Sequence, residues 1–347
     1  MILYWIGLVV LFLCGAKLRS QGSPDFLSHE RTTAVNGFFI GWVFLRHVCD
    51  YLPNAEAAML DRAFVNVEFA AGQLIVATFL FFSGFGAMES IKSKGDAYVV
   101  AFPRKRIFRV LLDFDIAVVS FLIVGLLLGR SFDIRTVLLA LAGWASVGNS
   151  NWYIFIILSC WLVTYCVYSA AWLLRKDVDI FLILFGLGLL LFYSKGSEFW
   201  WWDSLLAYPA GLLYSSRRKQ IERALQSRYA LWLVAFLGLC VASRILSKFV
   251  GVDCPLRVPL LNVRTICFAM AIVMIMMKVD FGNAASIWMG RHLFPIYIYQ
   301  RLAMLVLAVA LGQDFIRDYR FAYVVSVAAV TAGAAVVYEK WLHVRIR

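Results

Sequence analysis

His47 stands late in an apolar run, Ala34 to Leu52, that is long enough to cross a bilayer, with Arg46 beside it and Asp50 three residues on. Ionisable groups at membrane depth cost roughly 2.5–3.5 kcal/mol each on insertion scales, so they face a cavity, a partner or a substrate path more often than lipid. A histidine titrates near neutral pH and can take a proton from a hydroxyl. On a helix, Asn36, Ile40, Val43, His47 and Asp50 fall along one stripe, which puts Asp50 where it would orient and polarise His47 as a general base. The competing reading is a satisfied capping cluster at the membrane interface, with Arg46 snorkelling outward. At 1.5 Å per residue His47 lies roughly 20 Å above the inner end of this helix, nearer the outer face.

Further residues downstream have types suited to chemistry. Phe82-Ser83-Gly84-Phe85-Gly86 comes late in an apolar run, where small residues let another helix backbone approach. Arg104-Lys105-Arg106-Ile107-Phe108-Arg109 opens the next helix on the inner side. Arg106 and Arg109 then share one face at a helix amino terminus, which suits phosphates, with Lys105 adding charge. Plain topological anchoring or headgroup contact is the equal alternative. Asn149 and Asn151 precede Trp152; they are either substrate-facing or part of an interfacial aromatic anchor. Trp200, Trp201 and Trp202 read as a belt at the outer interface. Arg264 and Arg301 are intramembrane cations, candidates for a substrate path or for structural pairing. His29 and His343 fall in polar segments and are expected in solvent, while His292 precedes Pro295 at the start of a span. No two histidines have metal-ligand spacing on one helix, and the seven cysteines include no CxxC, so no metal site is expected.

These residues need a membrane to hold them. The 347-residue chain is 63% hydrophobic and only 16% charged, with mean hydropathy +0.80; a soluble domain carries about a quarter charged residues. The expected fold is all-α, a polytopic membrane helix bundle of about 11 transmembrane helices plus one re-entrant segment. The net charge of +12 does not point to nucleic acid, because Lys and Arg fall in short loops between apolar runs, where they orient the chain. The spans are Ile2–Ala16, Ala34–Leu52, Ala71–Ser90, Ile107–Gly129, Trp152–Leu174, Val178–Ser194, Trp202–Ser215, Tyr229–Leu246, Pro259–Met277, Phe294–Leu311 and Phe321–Tyr338. Ile2–Ala16 is read as an uncleaved span, since no basic segment precedes it and no cleavage site follows. Val137–Val147 is short and ends in Gly148-Asn149-Ser150-Asn151. Treating it as re-entrant keeps Arg217, Arg218, Lys219 and Arg223 on the basic, inner side, with the amino terminus outside and the carboxyl terminus cytoplasmic. No internal repeat supports an inverted-repeat transporter.

The order of these motifs resembles the membrane acyltransferase-3 family, integral-membrane O-acyltransferases that mostly modify bacterial surface glycans. The family pattern is a histidine late in the first core helix, a Ser-Gly-Phe or Ser-Gly-Tyr in the next, and an Arg-x-x-Arg opening the third. Here these are His47, Ser83-Gly84-Phe85 and Arg106-Ile107-Phe108-Arg109. The tryptophan of Asn151-Trp152-Tyr153, the segment Tyr208-Pro209-Ala210-Gly211 and the closing Gly290-Arg291-His292-Leu293-Phe294-Pro295-Ile296-Tyr297 extend the likeness over residues 31–347. Residues 1–30 form an additional amino-terminal helix and cytoplasmic loop.

The resemblance implies an enzyme of the bacterial inner (plasma) membrane. It would move an acyl group, acetyl as the first expectation, from acyl-coenzyme A to a hydroxyl of a surface or lipid-linked glycan, without a metal. It implies His47 as general base with Asp50, and Arg106, Arg109 and Lys105 on the coenzyme A phosphates. Ser83 and Gly84 would shape the donor cavity, and Arg46, Asn149, Asn151, Trp152, Arg264 and Arg301 are the candidates for substrate contact. Three departures stand out. The family carries Arg or Lys eleven residues before its histidine, where this chain has Asn36, followed by the expected Gly37. The first span is additional to the usual ten-helix core, and no hydrolase-like extracytoplasmic domain is appended. The competing classes are a glycolipid or polysaccharide transporter or flippase, and a glycan polymerase or ligase working from external loops without coenzyme A.

Overall fold

A computed structural model describes residues 1–19, 25–53, 59–174, 199–251 and 256–345, with Gly186, Gly188 and Cys254. The described residues are helical apart from short connections, the turn Phe199–Trp201 and one antiparallel ladder that pairs β1 (Lys17–Leu18) with β2 (Val279–Asp280). The helices are α1 (Ile2–Leu13), α2 (His29–Cys49), α3 (Met59–Lys94), α4 (Asp96–Leu127), α5 (Ile134–Leu141) and α6 (Trp152–Leu174). They continue as α7 (Ala207–Ser216), α8 (Arg218–Ser227), α9 (Tyr229–Phe249), α10 (Arg257–Lys278), α11 (Ala284–Arg291), α12 (Leu293–Asp318) and α13 (Arg320–Arg345).

The helices bear out an all-α, membrane-spanning fold, while the described residues account for fewer spans than eleven. Seven described helices are long and apolar enough to cross a membrane: α3 from Ala71, α4, α6, α9, α10, α12 and α13. Helix α1 has 12 residues and reaches only about 18 Å against a hydrocarbon core of about 30 Å. Helix α2 is long enough, but Asn36, Arg46 and His47 dilute its apolar run. The expected span Trp202–Ser215 resolves into turns and the ten-residue α7. The expected span Val178–Ser194 lies outside the described residues apart from its two glycines. Val137–Val147 contains the end of α5, eight residues capped by Asp133. Asp133 accepts from Thr136 N and from its hydroxyl, at 2.9 and 2.6 Å, and these bonds hold its carboxyl below the usual carboxylate range.

The chain forms two compact units. The first comprises Met1–Gly72, Asp113–Asn151 and Val279–Arg347. Its core joins Leu45 and Val48 of α2, and Leu52 just beyond it, to Phe64, Met304, Tyr323 and Val327, and the Tyr323 hydroxyl donates to Met304 O at 2.9 Å. Helix α2 crosses α11 at glycine. A Cβ on Gly37 would run into Ser286 O, and one on Gly290 into Thr33 O. Asn283 caps α11 through Ser286 N at 2.8 Å and donates to Leu11 O. His292 closes the α11–α12 corner, stacked on Trp288, with Nδ1 donating to Trp288 O at 2.8 Å and Nε2 3.0 Å from Glu339. Helix α12 breaks at Gly312, whose φ of 79° suits glycine, one residue beyond the expected end of that span.

The second unit comprises Gln73–Leu112 and Trp152–Lys278. The same device recurs in it: a Cβ on Gly84 would strike Tyr208 O, and one on Gly211 would strike Phe81 O. The α3–α7 contact is fastened further along by Ser215, whose hydroxyl donates to Glu89 at 2.6 Å, and by Lys92, which donates to Glu89 and to Ser215 O. Within Phe82-Ser83-Gly84-Phe85-Gly86, Gly84 admits a helix backbone as a packing motif would, whereas a Cβ on Gly86 would meet open space.

Because a carbonyl oxygen in a helix cannot swing aside, Gly211→Val should lower stability by roughly 1–3 kcal/mol, and Gly84→Val likewise. Gly238→Ala, in open space on α9, should leave thermal unfolding in detergent unchanged or raise it. Equal midpoints for the three variants would show that the crossing tolerates a side chain.

Candidate functional site

Several of the sequence candidates gather in two places, one in each unit. In the first unit, His47 occupies the last turn of α2 and its carbonyl accepts from Asp50 N, the C-cap. Basic residues there complement the helix dipole. The expected bond from Asp50 to His47 is not made. Arg46 Nη1 donates to Asp50 Oδ1 at 2.7 Å, and Arg301 Nη2, from α12, donates to Asp50 Oδ2. A guanidinium offers a carboxylate a charge-assisted bond that a neutral imidazole cannot match, so the two arginines take both oxygens. His47 Nδ1 is buried without a hydrogen-bond partner, and the ring of Tyr297 lies 6.5 Å away. Tyr51 donates to Arg301 O at 3.5 Å, a long bond.

Glu68, absent from the sequence candidates, joins this cluster. It is 2% exposed, neither carboxylate oxygen has a hydrogen-bond partner, and Arg46 lies within its electrostatic reach. Its signal was a lone acid three residues before the apolar run that starts at Ala71, and the span boundary concealed it. Asn36, three turns earlier on α2, also has a buried and unpartnered Oδ1. Asn149 and Asn151 tie their own loop: Asn149 Oδ1 accepts from Val147 N at 3.0 Å, and Asn151 Nδ2 donates to Gly143 O and Trp144 O at 2.9 and 3.1 Å.

In the second unit, four helices converge on Trp161 and Tyr208. Trp161 Nε1 donates to Ser83 Oγ at 3.1 Å, and the Arg106 guanidinium lies 5.8 Å from the Trp161 ring. Arg106 Nε also donates to the Tyr98 hydroxyl at 3.2 Å. Tyr208 shares a 3.1 Å hydrogen bond with Thr164, beside the Gly84 crossing. Trp161 and Tyr98 were missed in the sequence because an aromatic inside an apolar run reads as core.

The basic run does not open a helix. Helix α4 begins at Asp96 and passes through Pro103–Phe108 as a π-helical turn, which accommodates the missing N–H and the ring of Pro103. The helix amino terminus expected to attract phosphates is therefore not there. Nor do Arg106 and Arg109 share an environment: Arg106 is half-buried against Tyr98 and Trp161, whereas Lys105 and Arg109 are exposed. Trp152 is half-buried against Tyr153. Arg264 is 7% exposed in α10, within electrostatic reach of Asp203 and Cys240.

No family model, curated protein or solved structure matches the chain.

The Asp50–Arg301 pair joins α2 to α12 across 251 positions of sequence, with side chains 35% and 27% exposed. A double-mutant cycle of Asp50→Asn and Arg301→Gln on detergent unfolding should give a coupling of about 0.5–1 kcal/mol, the range for partly exposed pairs. Strict additivity would show that the pair contributes nothing to holding α2 against α12.

Proposed function

We propose that this chain is an integral-membrane O-acyltransferase of the acyltransferase-3 kind. It moves an acyl group, acetyl in the first instance, from acyl-coenzyme A to a hydroxyl of a surface or lipid-linked glycan. The observation that carries the reading is His47: a histidine in the last turn of an apolar helix, its Nδ1 unpartnered, beside two arginines that are already paired with a carboxylate. An uncommitted imidazole is what a general base requires. The gathering of Ser83, Gly84 and Arg106 around Trp161 and Tyr208 supports it, since the resemblance assigns those residues to the donor.

In this reading His47 takes the proton of the acceptor hydroxyl as that oxygen attacks the thioester carbonyl. The carbon–sulfur bond then breaks, and the coenzyme A thiolate leaves and takes up a proton. The activated donor makes neither a metal nor a redox group necessary. Asp50 serves to neutralise Arg46 and Arg301 rather than to orient the base. Lys105 and Arg109 are exposed and able to meet the donor phosphates, and Arg106 backs them from the half-buried side.

Purified protein given labelled acetyl-coenzyme A and candidate glycans should transfer label. His47→Ala should reduce turnover by about 10²–10⁴, the usual worth of a positioned base, without loss of thermal stability; undiminished turnover in that variant removes His47 from the mechanism. Coenzyme A at about a hundred times its Kd should stabilise the protein by about 2.7 kcal/mol. That gain should shrink in Lys105→Ala and Arg109→Ala, both exposed. The absence of any stabilisation by coenzyme A would favour the transporter or polymerase classes instead.

A further inference from the structure

The first unit encloses a cavity of about 440 Å³ bounded by α1, α2, α11, α12 and α13, well within the roughly 300–1,000 Å³ of small-ligand sites. None of the residues given a part in the proposed acyl transfer lines it. Gly7, Gly41, Phe44, Met289, Ala328 and Thr331 are among its walls, which are almost wholly apolar. Water does not fill such a space, because each ordered water needs two to four polar partners. Left empty, the lining would forfeit its dispersion contacts.

Two observations indicate what occupies it. Three lining residues, Leu11, Phe321 and Val325, are also exposed, at 41%, 69% and 47%. The cavity mouth is therefore continuous with the outward apolar surface of α1 and of α13, a candidate membrane span, and it opens where bilayer lipid would cover the protein. Secondly, the wall residue Thr331 is 2% exposed and its Oγ1 has no hydrogen-bond partner. A hydroxyl buried in this way is normally satisfied by its own helix or by a ligand.

We propose that the cavity holds one acyl chain of a bilayer lipid, with the Thr331 hydroxyl donating to an oxygen of that lipid. The site is independent of the role given to His47. It is built in part by α1, the helix with no counterpart in the ten-helix core expected from the resemblance. Apolar burial drives the binding, and the lone donor selects an ester-bearing chain over a plain alkane.

The test reconstitutes the full chain in phosphatidylethanolamine–phosphatidylglycerol vesicles doped with a phosphatidylethanolamine whose acyl chain carries a diazirine. Irradiation and peptide mapping should give adducts on the wall segments of α1 and α13 several-fold above those on the exposed apolar face of α9 (Val234, Leu237, Val241), which reports casual lipid contact. A side chain at Gly7 enters open space, so Gly7→Phe should fold normally. It should reduce the wall adducts by about tenfold and leave those on α9 unchanged, while Thr331→Val should reduce them by about threefold. Should Gly7→Phe lower the unfolding midpoint, Ala332→Met fills the same cavity from α13 and is held to the same outcome. Wall labelling no higher than on α9, labelling unaffected by either filling variant, or cross-links to a second copy of the chain in place of lipid would overturn the proposal.

Discussion

Backbone-to-backbone contact at paired glycines is what the rest of each unit is arranged around. Within a bilayer, helices gain little from hiding apolar side chains from one another, because lipid is equally apolar; close packing and polar contacts must hold them. Gly37 and Gly290 let α2 lie against α11, and Gly84 and Gly211 let α3 lie against α7, each pair with no room for a Cβ. Once Gly37 is fixed, α2 is a rigid rod whose last turn carries His47 about 15 Å further on. Once Gly84 is fixed, its neighbour Ser83 is held where Trp161 can donate to it. The glycines are not themselves chemical, yet the position of each candidate group follows from them.

Much of this was legible in the chain and some was not, for identifiable reasons. The runs beginning at Tyr229, Pro259, Phe294 and Phe321 fall on observed helices within a few residues, because a long apolar stretch leaves the backbone no partner except itself. The packing role of Gly84 was legible too, since small residues late in a span have few other uses. Gly37, Gly211 and Gly290 were not, because a sequence does not say which glycine faces which. The basic run was expected to open a helix, but the helix starts earlier, at Asp96, and carries Pro103 through a π turn. Periodicity along α2 offered Asp50 to His47, but spacing ranks only neighbours on the same helix. Arg301 lies 251 positions away in sequence and binds that carboxylate more strongly.

The electrostatics of the first unit follow from that substitution. Two guanidinium groups, Arg46 and Arg301, share one carboxylate, Asp50, while burial pushes the Glu68 carboxyl up to about 8 despite Arg46 within its reach. Removing Asp50 would leave both arginines without that partner, whereas removing His47 breaks no ion pair. The general-base role proposed for His47 therefore asks nothing of it in holding the fold together.

The two units differ in how far their characteristic residues are satisfied. In the second, Ser83, Arg106, Thr164 and Tyr208 have hydrogen-bond partners within the chain, and Arg104, Lys105 and Arg109 are left exposed nearby. In the first, Asn36 Oδ1, His47 Nδ1 and both oxygens of Glu68 are buried without a hydrogen-bond partner. Buried polar atoms are rarely left so unless something outside the chain completes them. Asn36 and His47 are eleven residues apart, close to three helical turns, and so lie on one face of α2. A polar molecule running along that face would meet an amide at one end and an imidazole at the other. Were the proposed donor to run along that face, a neutral amide would stand where the resemblance expects a cation, and a phosphate there would find no charged partner at position 36.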